Sequence, residues 1–152
     1  MLQATQNDET LKSVPKAASW LGGLGLAPFV YFALVVEHLD LGMKASASFA
    51  LVAYGAVILS FLGGIHWGLA MASATVSWSR LGLSTLPSLI AWAALIIPFA
   101  QGVLLLAISF ACALAIDWRA TNVGEAPAWY PKLRWPLTVV TIIALIAGLR
   151  IV

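Results

Sequence analysis

A chain of 152 residues with 62% apolar and 9% charged side chains has too little polar surface to cover a water-soluble fold, where charged residues make up roughly 25%. Its net charge of +2 comes from Lys and Arg scattered along the sequence, which excludes the clustered basic face of a nucleic-acid binder. The single cysteine, Cys112, excludes an internal disulfide and a thiolate metal site, and its neighbours Phe110, Ala111, Ala113 and Leu114 make it a small buried apolar position.

Residues 1–15 contain Asp8 and Glu9 and lack an apolar core. They read as a disordered cytoplasmic tail and not as a signal or transit peptide. Residues 16–152 are predicted to form one all-α domain, a polytopic integral membrane bundle of five transmembrane helices. A crossing needs ~20 mostly apolar residues, with about 17 as the lower bound. Five stretches meet this: 20–36, 46–72, 81–97, 99–118 and 133–152. Pro28, Gly63, Gly64 and Pro87 fall inside them and are tolerated because neighbouring helices satisfy the freed backbone groups. The third and fourth stretches are separated so briefly, around Pro98, that they should form a tight antiparallel hairpin.

Five spans put the termini on opposite sides. Lys12, Lys16, Arg80, Arg119, Lys132 and Arg134 fall on the N-terminal side, while Lys44 and Arg150 fall on the other. Cytoplasmic segments carry the excess of Lys and Arg, so the N-terminus is expected inside and the C-terminus outside. The expected location is a bacterial inner membrane, or the mitochondrial inner membrane in a eukaryote. Trp20, Trp78, Trp118, Trp129, Tyr130 and Trp135 cluster near the inner interface, as an aromatic belt does.

The second span holds the candidate packing residues. Ser60, Gly64 and Gly68 recur every four residues, a small-residue stripe that allows a partner backbone to approach. Gly55, Leu59, Gly63 and His66 lie on another face. Small residues on two faces place this helix at the centre of the bundle, and packing alone is enough to explain them.

His66 is the ionisable residue well inside a span, ~9 Å from the inner helix end. Such a group should face the bundle interior, with Ser84, Thr85 and Ser88 of the third span as expected partners. A neutral, hydrogen-bonded histidine is the plainest reading. Proton relay and metal or haem ligation are the alternatives, the latter two weakened because no neighbouring helix offers a second ligand. Asp117, at the membrane boundary, should pair with Arg119, Arg134 or His66, since an unpaired carboxylate there is costly. Arg119, Lys132 and Arg134, interleaved with Trp129 and Tyr130, suit an anionic phospholipid headgroup or ordinary interfacial anchoring. Nucleophile elbow, Walker loop, HExxH and paired catalytic carboxylates are all missing. The reading is therefore non-enzymatic, with no cofactor and no metal.

The run Ile-Leu-Ser-Phe-Leu-Gly-Gly-Ile-His-Trp-Gly over residues 58–68 resembles the signature of the transmembrane protein sixty-nine family. These are small multi-span membrane proteins of unknown function, bacterial with a mitochondrial relative in animals. Leu24-Gly25 with Pro28-Phe29, then Pro87, Asp117, Trp129-Tyr130, Leu133-Arg134 and Leu137-Thr138 extend the resemblance over nearly the whole chain. It implies a multi-span inner-membrane protein and supplies no mechanism. Three functions stay open, in this order. The first is an accessory or assembly component of a larger inner-membrane complex, respiratory if the mitochondrial relative is a guide. The second is binding of a lipid or other hydrophobic small molecule at the inner polar site. The third is a small transporter or proton-conducting oligomer. The bilayer itself and other membrane subunits are the implied partners.

Overall fold

In lipid no water competes for backbone N–H and C=O groups, so an apolar chain satisfies them within helices. The computed structural model describes residues 13–35, 38–73 and 76–151, and these are helical throughout apart from short connections. The helices are α1 (Lys16–Leu24), α2 (Ala27–Val35), α3 (Leu41–Ala72), α4 (Trp78–Ile96), α5 (Phe99–Asn122) and α6 (Tyr130–Gly148), followed by a 3₁₀ turn, Leu149–Ile151. Taken together, α1 and α2 make the first of five stretches long and apolar enough to cross a membrane. Most of the expected tail, Glu37 of the expected outer loop and Val152 lie outside the described residues.

Expected and observed spans agree in number and order, and differ at their ends. Helix α3 begins at Leu41, which puts Lys44 on the helix and not in a loop. Its 32 residues reach ~48 Å at 1.5 Å per residue, so part of it lies outside a hydrocarbon core of ~30 Å. Helix α6 begins at Tyr130, with Pro131 in its first turn, where a missing N–H costs nothing.

The first span is broken at Gly25 and Leu26. Pro28 has no N–H, so the carbonyl of Leu24 cannot be met by it, and the chain tightens there through bonds from Leu26 N–H to Gly23 O and from Gly25 N–H to Leu21 O. The Tyr54 hydroxyl of α3 donates to Gly25 O at 2.8 Å, which repairs the break. On its far side α2 buries Phe29, edge-on to Tyr54 at 4.9 Å and to Phe110 at 6.3 Å. Helix α1, by contrast, buries no residue.

Helix α3 is the central element, in contact with α2, α4, α5 and α6. Leu51, Leu59, Val103, Leu106, Phe110 and Leu145 form the densest part of the core. The α4–α5 hairpin turns on Ile97 and Pro98 alone, and a Cβ at Gly102 would come within 2.5 Å of Ala94 O. That contact is with backbone, which cannot step aside, so only glycine closes the hairpin.

Two packing expectations are corrected. Within this chain the close approach of α3 uses Gly63, where a Cβ would meet Ser84 O at 2.7 Å and Pro87 Cβ at 3.2 Å. Gly64 and Gly68 are exposed and have nothing within 4 Å, and Ser60 is half-buried. The stripe faces away because α4 meets α3 along the face of Gly63. Cys112 is exposed, not buried, since it lies on the side of α5 turned from the Val103, Leu106, Phe110 row.

Candidate functional site

The buried stripes of three helices each reach a polar residue near the end of the bundle at which α1 begins, the inner end in the expected orientation. On α5 the buried face runs Val103, Leu106, Phe110, Ala113, Asp117. On α6 it runs Tyr130, Arg134, Thr138, Thr141, Leu145. On α3 it continues through Leu59 and Leu62 to the half-buried His66. The 3.6-residue period that buries leucine in mid-membrane therefore also buries these groups.

The connection between α5 and α6 sets their register. Glu125 N–H bonds to Ala120 O at 2.8 Å and Gly124 N–H to Thr121 O at 3.0 Å, with Gly124 at φ 78°. This is a Schellman closure, whose left-handed position favours glycine. It reverses the chain so that Arg134 returns to the level of Asp117.

Asp117 is wholly buried and takes a partner on each oxygen. Arg134 Nε donates to Oδ2 at 2.7 Å, and His66 Nε2 lies 2.9 Å from Oδ1. The result is a cross-link of α3, α5 and α6 through one carboxylate. A buried carboxylate is costly unless its lone pairs are met, and here both oxygens are. Among the described residues, the buried side-chain atoms Arg134 Nη2, Tyr130 Oη and Thr138 Oγ1 have no regular hydrogen bond. The Tyr130 hydroxyl has the Asp117 carboxylate as its neighbouring acceptor and feels the charges of Asp117 and Arg134, although the contact falls outside regular hydrogen-bond geometry.

Beside this cluster is a cleft of about 300 Å³ between the first span and helices α3, α5 and α6. Phe29, Phe110 and Leu62 form its buried floor, and exposed Leu21 and Phe61 form its rim. Tyr130, Arg134 and Thr141 are the polar members of an otherwise apolar wall. Because the rim is lipid-facing, the cleft opens sideways into the bilayer between α1 and α3. A Cβ at Gly22 would approach Leu137 Cδ1 to 2.9 Å, so Gly22 lets α1 close against α6 along the other edge.

Comparison with known proteins places these residues in a family. Residues 14–150 match the family described as protein of unknown function DUF3429. The chain belongs to that family. It is 36% identical to Transmembrane protein 69 of Xenopus tropicalis over 144 residues, 93% of this chain and 56% of that protein. To Transmembrane protein 69 of Mus musculus it is 28% identical over 138 residues, 89% of this chain and 56% of that protein. The chain thus spans about half the length of these curated relatives. No solved structure matches.

In this DUF3429 member the structure brings together His66, Asp117, Tyr130 and Arg134 from the sequence candidates. It does not bring in the hydroxyls expected around His66. Ser84 is buried but donates to Leu81 O at 2.7 Å, exposed Thr85 donates to Gly82 O at 2.7 Å, and Ser88 is exposed. Each of the two bonded hydroxyls is taken up by its own helix near the distortion at Pro87. Arg119 is exposed, two residues past Asp117 and so on another face of α5. Trp129 packs edge-on to Tyr130 at 6.1 Å, yet Tyr130 itself turns inward and does not join the exposed Trp20, Trp78, Trp118 and Trp135. Sequence reasoning missed Thr138 and Thr141, although they share a helical period with Arg134, and it missed the cleft, which depends on the broken first span.

Proposed function

We propose that this chain binds a lipid or other hydrophobic small molecule at its inner polar site and carries out no reaction on it. The observation that supports this is the adjacency of an apolar, laterally open cleft to the buried His66–Asp117–Arg134 cluster. Ligand sites pair a mostly apolar wall with a few placed polar groups, and this cleft has that composition. In this reading the host is an inner membrane, bacterial or mitochondrial, with the N-terminus on the cytoplasmic or matrix side, as the distribution of Lys and Arg favours. Exposed Arg119 and Lys132, at the same interface, suit anionic phospholipid headgroups outside the cleft.

The test is mild extraction from native membrane followed by mass spectrometry of co-purifying lipids. Wild type should retain a hydrophobic molecule at about one per chain, and Ala18→Phe, which fills the cleft from α1, should lose it. Equal retention by both proteins would refute the reading.

Membership of a larger inner-membrane complex as an accessory or assembly component is the second reading. It is favoured by the exposed face of α3, where Gly64 and Gly68 have open space above them and small residues allow a partner helix close approach. Gly64→Leu should leave the isolated chain's stability unchanged and abolish its co-migration with larger assemblies in native gels. A transporter reading draws less support, because the Tyr54 hydroxyl, a polar group of the outer half, is used on Gly25 O.

A further inference from the structure

The first span is the least buried of the five, and the cleft lies along its unsupported flank. Helix α1 buries no residue, whereas α4, α5 and α6 each bury three or more. It leans on α6 through Gly22, against Leu137 and Leu133, and the cleft separates it from α3. Lipid tails are as apolar as leucine, so no hydrophobic force presses α1 inward and packing has to hold it. A gap on one flank forfeits the dispersion contacts that packing supplies. Whatever fills that gap stabilises the docked span.

The shape and chemistry of the cleft identify the filler. Its lining runs from Tyr130 to Thr141 on α6, ~16 Å at 1.5 Å per residue. That is close to the depth of one leaflet, half of a hydrocarbon core of ~30 Å. One end lies beside the first turns of α1 and α6, at Ala18 and Tyr130, and the other ends at the buried Phe29 of α2. The cleft is thus a slot along the helices, entered from the side. Its polar residues turn their polar atoms elsewhere. Arg134 Nε donates to Asp117 at 2.7 Å. Arg134 Nη2 and the Tyr130 hydroxyl are inaccessible, the latter set beside the Asp117 carboxylate. Gly25 O is occupied by the Tyr54 hydroxyl, and Thr141 is buried. The slot is lined almost wholly by carbon, and a polar head placed there would lose its hydrogen bonds to water without replacement. A hydrocarbon tail has none to lose.

We propose that one acyl tail, from the leaflet at which α1 begins, occupies this slot and wedges the first span onto the bundle, its head group left outside and unread. The inference rests on the lipid-binding reading and adds a structural role for the tail. The test uses the full chain, stripped of lipid, in a fluorinated surfactant whose own tails mix poorly with hydrocarbon. Octadecene, monoolein and oleoyl lysophosphatidylcholine are added in turn, so that similar tails carry no head, glycerol or phosphocholine. Glycerophosphocholine serves as a head without a tail. Binding is read on the unaltered protein by competition against a monoacylglycerol with a diazirine in its tail. Docking is read as the electron-spin distance between labels at Ser19→Cys and Trp118→Cys, both exposed positions, in a chain carrying Cys112→Ala.

The three tailed molecules should suppress labelling of α1 and of residues 58–65 at concentrations agreeing within about threefold, since one head-group hydrogen bond would separate them about tenfold. Each should narrow a broad distance distribution to a single peak, and glycerophosphocholine should do neither. A ranking set by the head would overturn the tail-only assignment. A distribution already narrow without a tail, or unchanged by one, would overturn the wedge. With the cleft still labelled, either result leaves lipid binding standing. Absence of labelling in the cleft would sink both readings. If the spin-labelled variant does not fold, amide exchange within α1 of the unaltered protein decides docking: octadecene should slow it, and no change would overturn the wedge.

Discussion

The two ends of this bundle are held by different physics. Toward the outer end the helices close by shape. Gly102 lies against the Ala94 carbonyl, Gly148 against Leu51, and the space between them is filled by Leu51, Val103 and Leu145. Toward the inner end they close by charge, through Asp117 with Arg134 and His66. A dry interface of small residues tolerates no added volume but asks for no partner chemistry. A buried ion cluster tolerates some volume change but no change in charge. The outer end is thus sensitive to size and the inner end to electrostatics, and substitutions can separate the two.

The largest effect is expected at the inner end. Asp117→Asn leaves the Arg134 guanidinium buried without its counter-charge, which should cost ~3–5 kcal/mol. Thermal unfolding in detergent would measure it, and Asp117→Leu combined with Arg134→Met should recover much of the loss. Failure of the double variant to recover would mean that the cluster acts through shape after all. Next comes Gly102→Ala at the outer end, where a methyl must displace a backbone carbonyl, at ~1–3 kcal/mol. The same assay applies, and an unchanged midpoint would remove the contrast between the two ends. Tyr54→Phe should be smaller, ~1 kcal/mol for one hydrogen bond, with faster amide exchange confined to the residues around Gly25. The smallest is Glu125→Gln. Its 2.7 Å bridge to Arg80 joins side chains 38% and 33% exposed, and such pairs contribute ~0–1 kcal/mol. A large loss there would show that the inner loops carry more of the fold than their exposure implies.

The number and order of spans could be read from the sequence because hydropathy over ~20 residues depends on composition, not on neighbours. The sequence offers Asp117 three partners, Arg119, Arg134 and His66, and helical phase separates the two arginines. Asp117 is in phase with Val103, Leu106 and Phe110, and Arg134 with Thr138, Thr141 and Leu145, whereas Arg119 is in phase with neither row. The partners expected for His66 failed for a local reason: a serine or threonine hydroxyl in a helix reaches the carbonyl of its own preceding turn more readily than a neighbouring helix. The stripe of Ser60, Gly64 and Gly68 failed because spacing says which residues share a face and not which face a neighbour covers. The cleft was illegible for a related reason. It arises where α1 stands off from α3, and no local pattern encodes a gap.

Chain order gives the shared carboxylate one more consequence. During synthesis α3 emerges well before α5, and α6 follows both, so Asp117 enters the membrane ahead of the Arg134 that will pair with it. His66 is already there. The 2.9 Å contact with Asp117 can form while α6 is still being made, which gives the carboxylate an interim partner at the stage when it has no other. The first span is in the opposite position: α1 buries nothing, and the helix it closes against, α6, arrives after α3 and α5. These five spans therefore cannot be sealed in the order in which they are made, and α6 both pairs with the buried acid and brings the first span home.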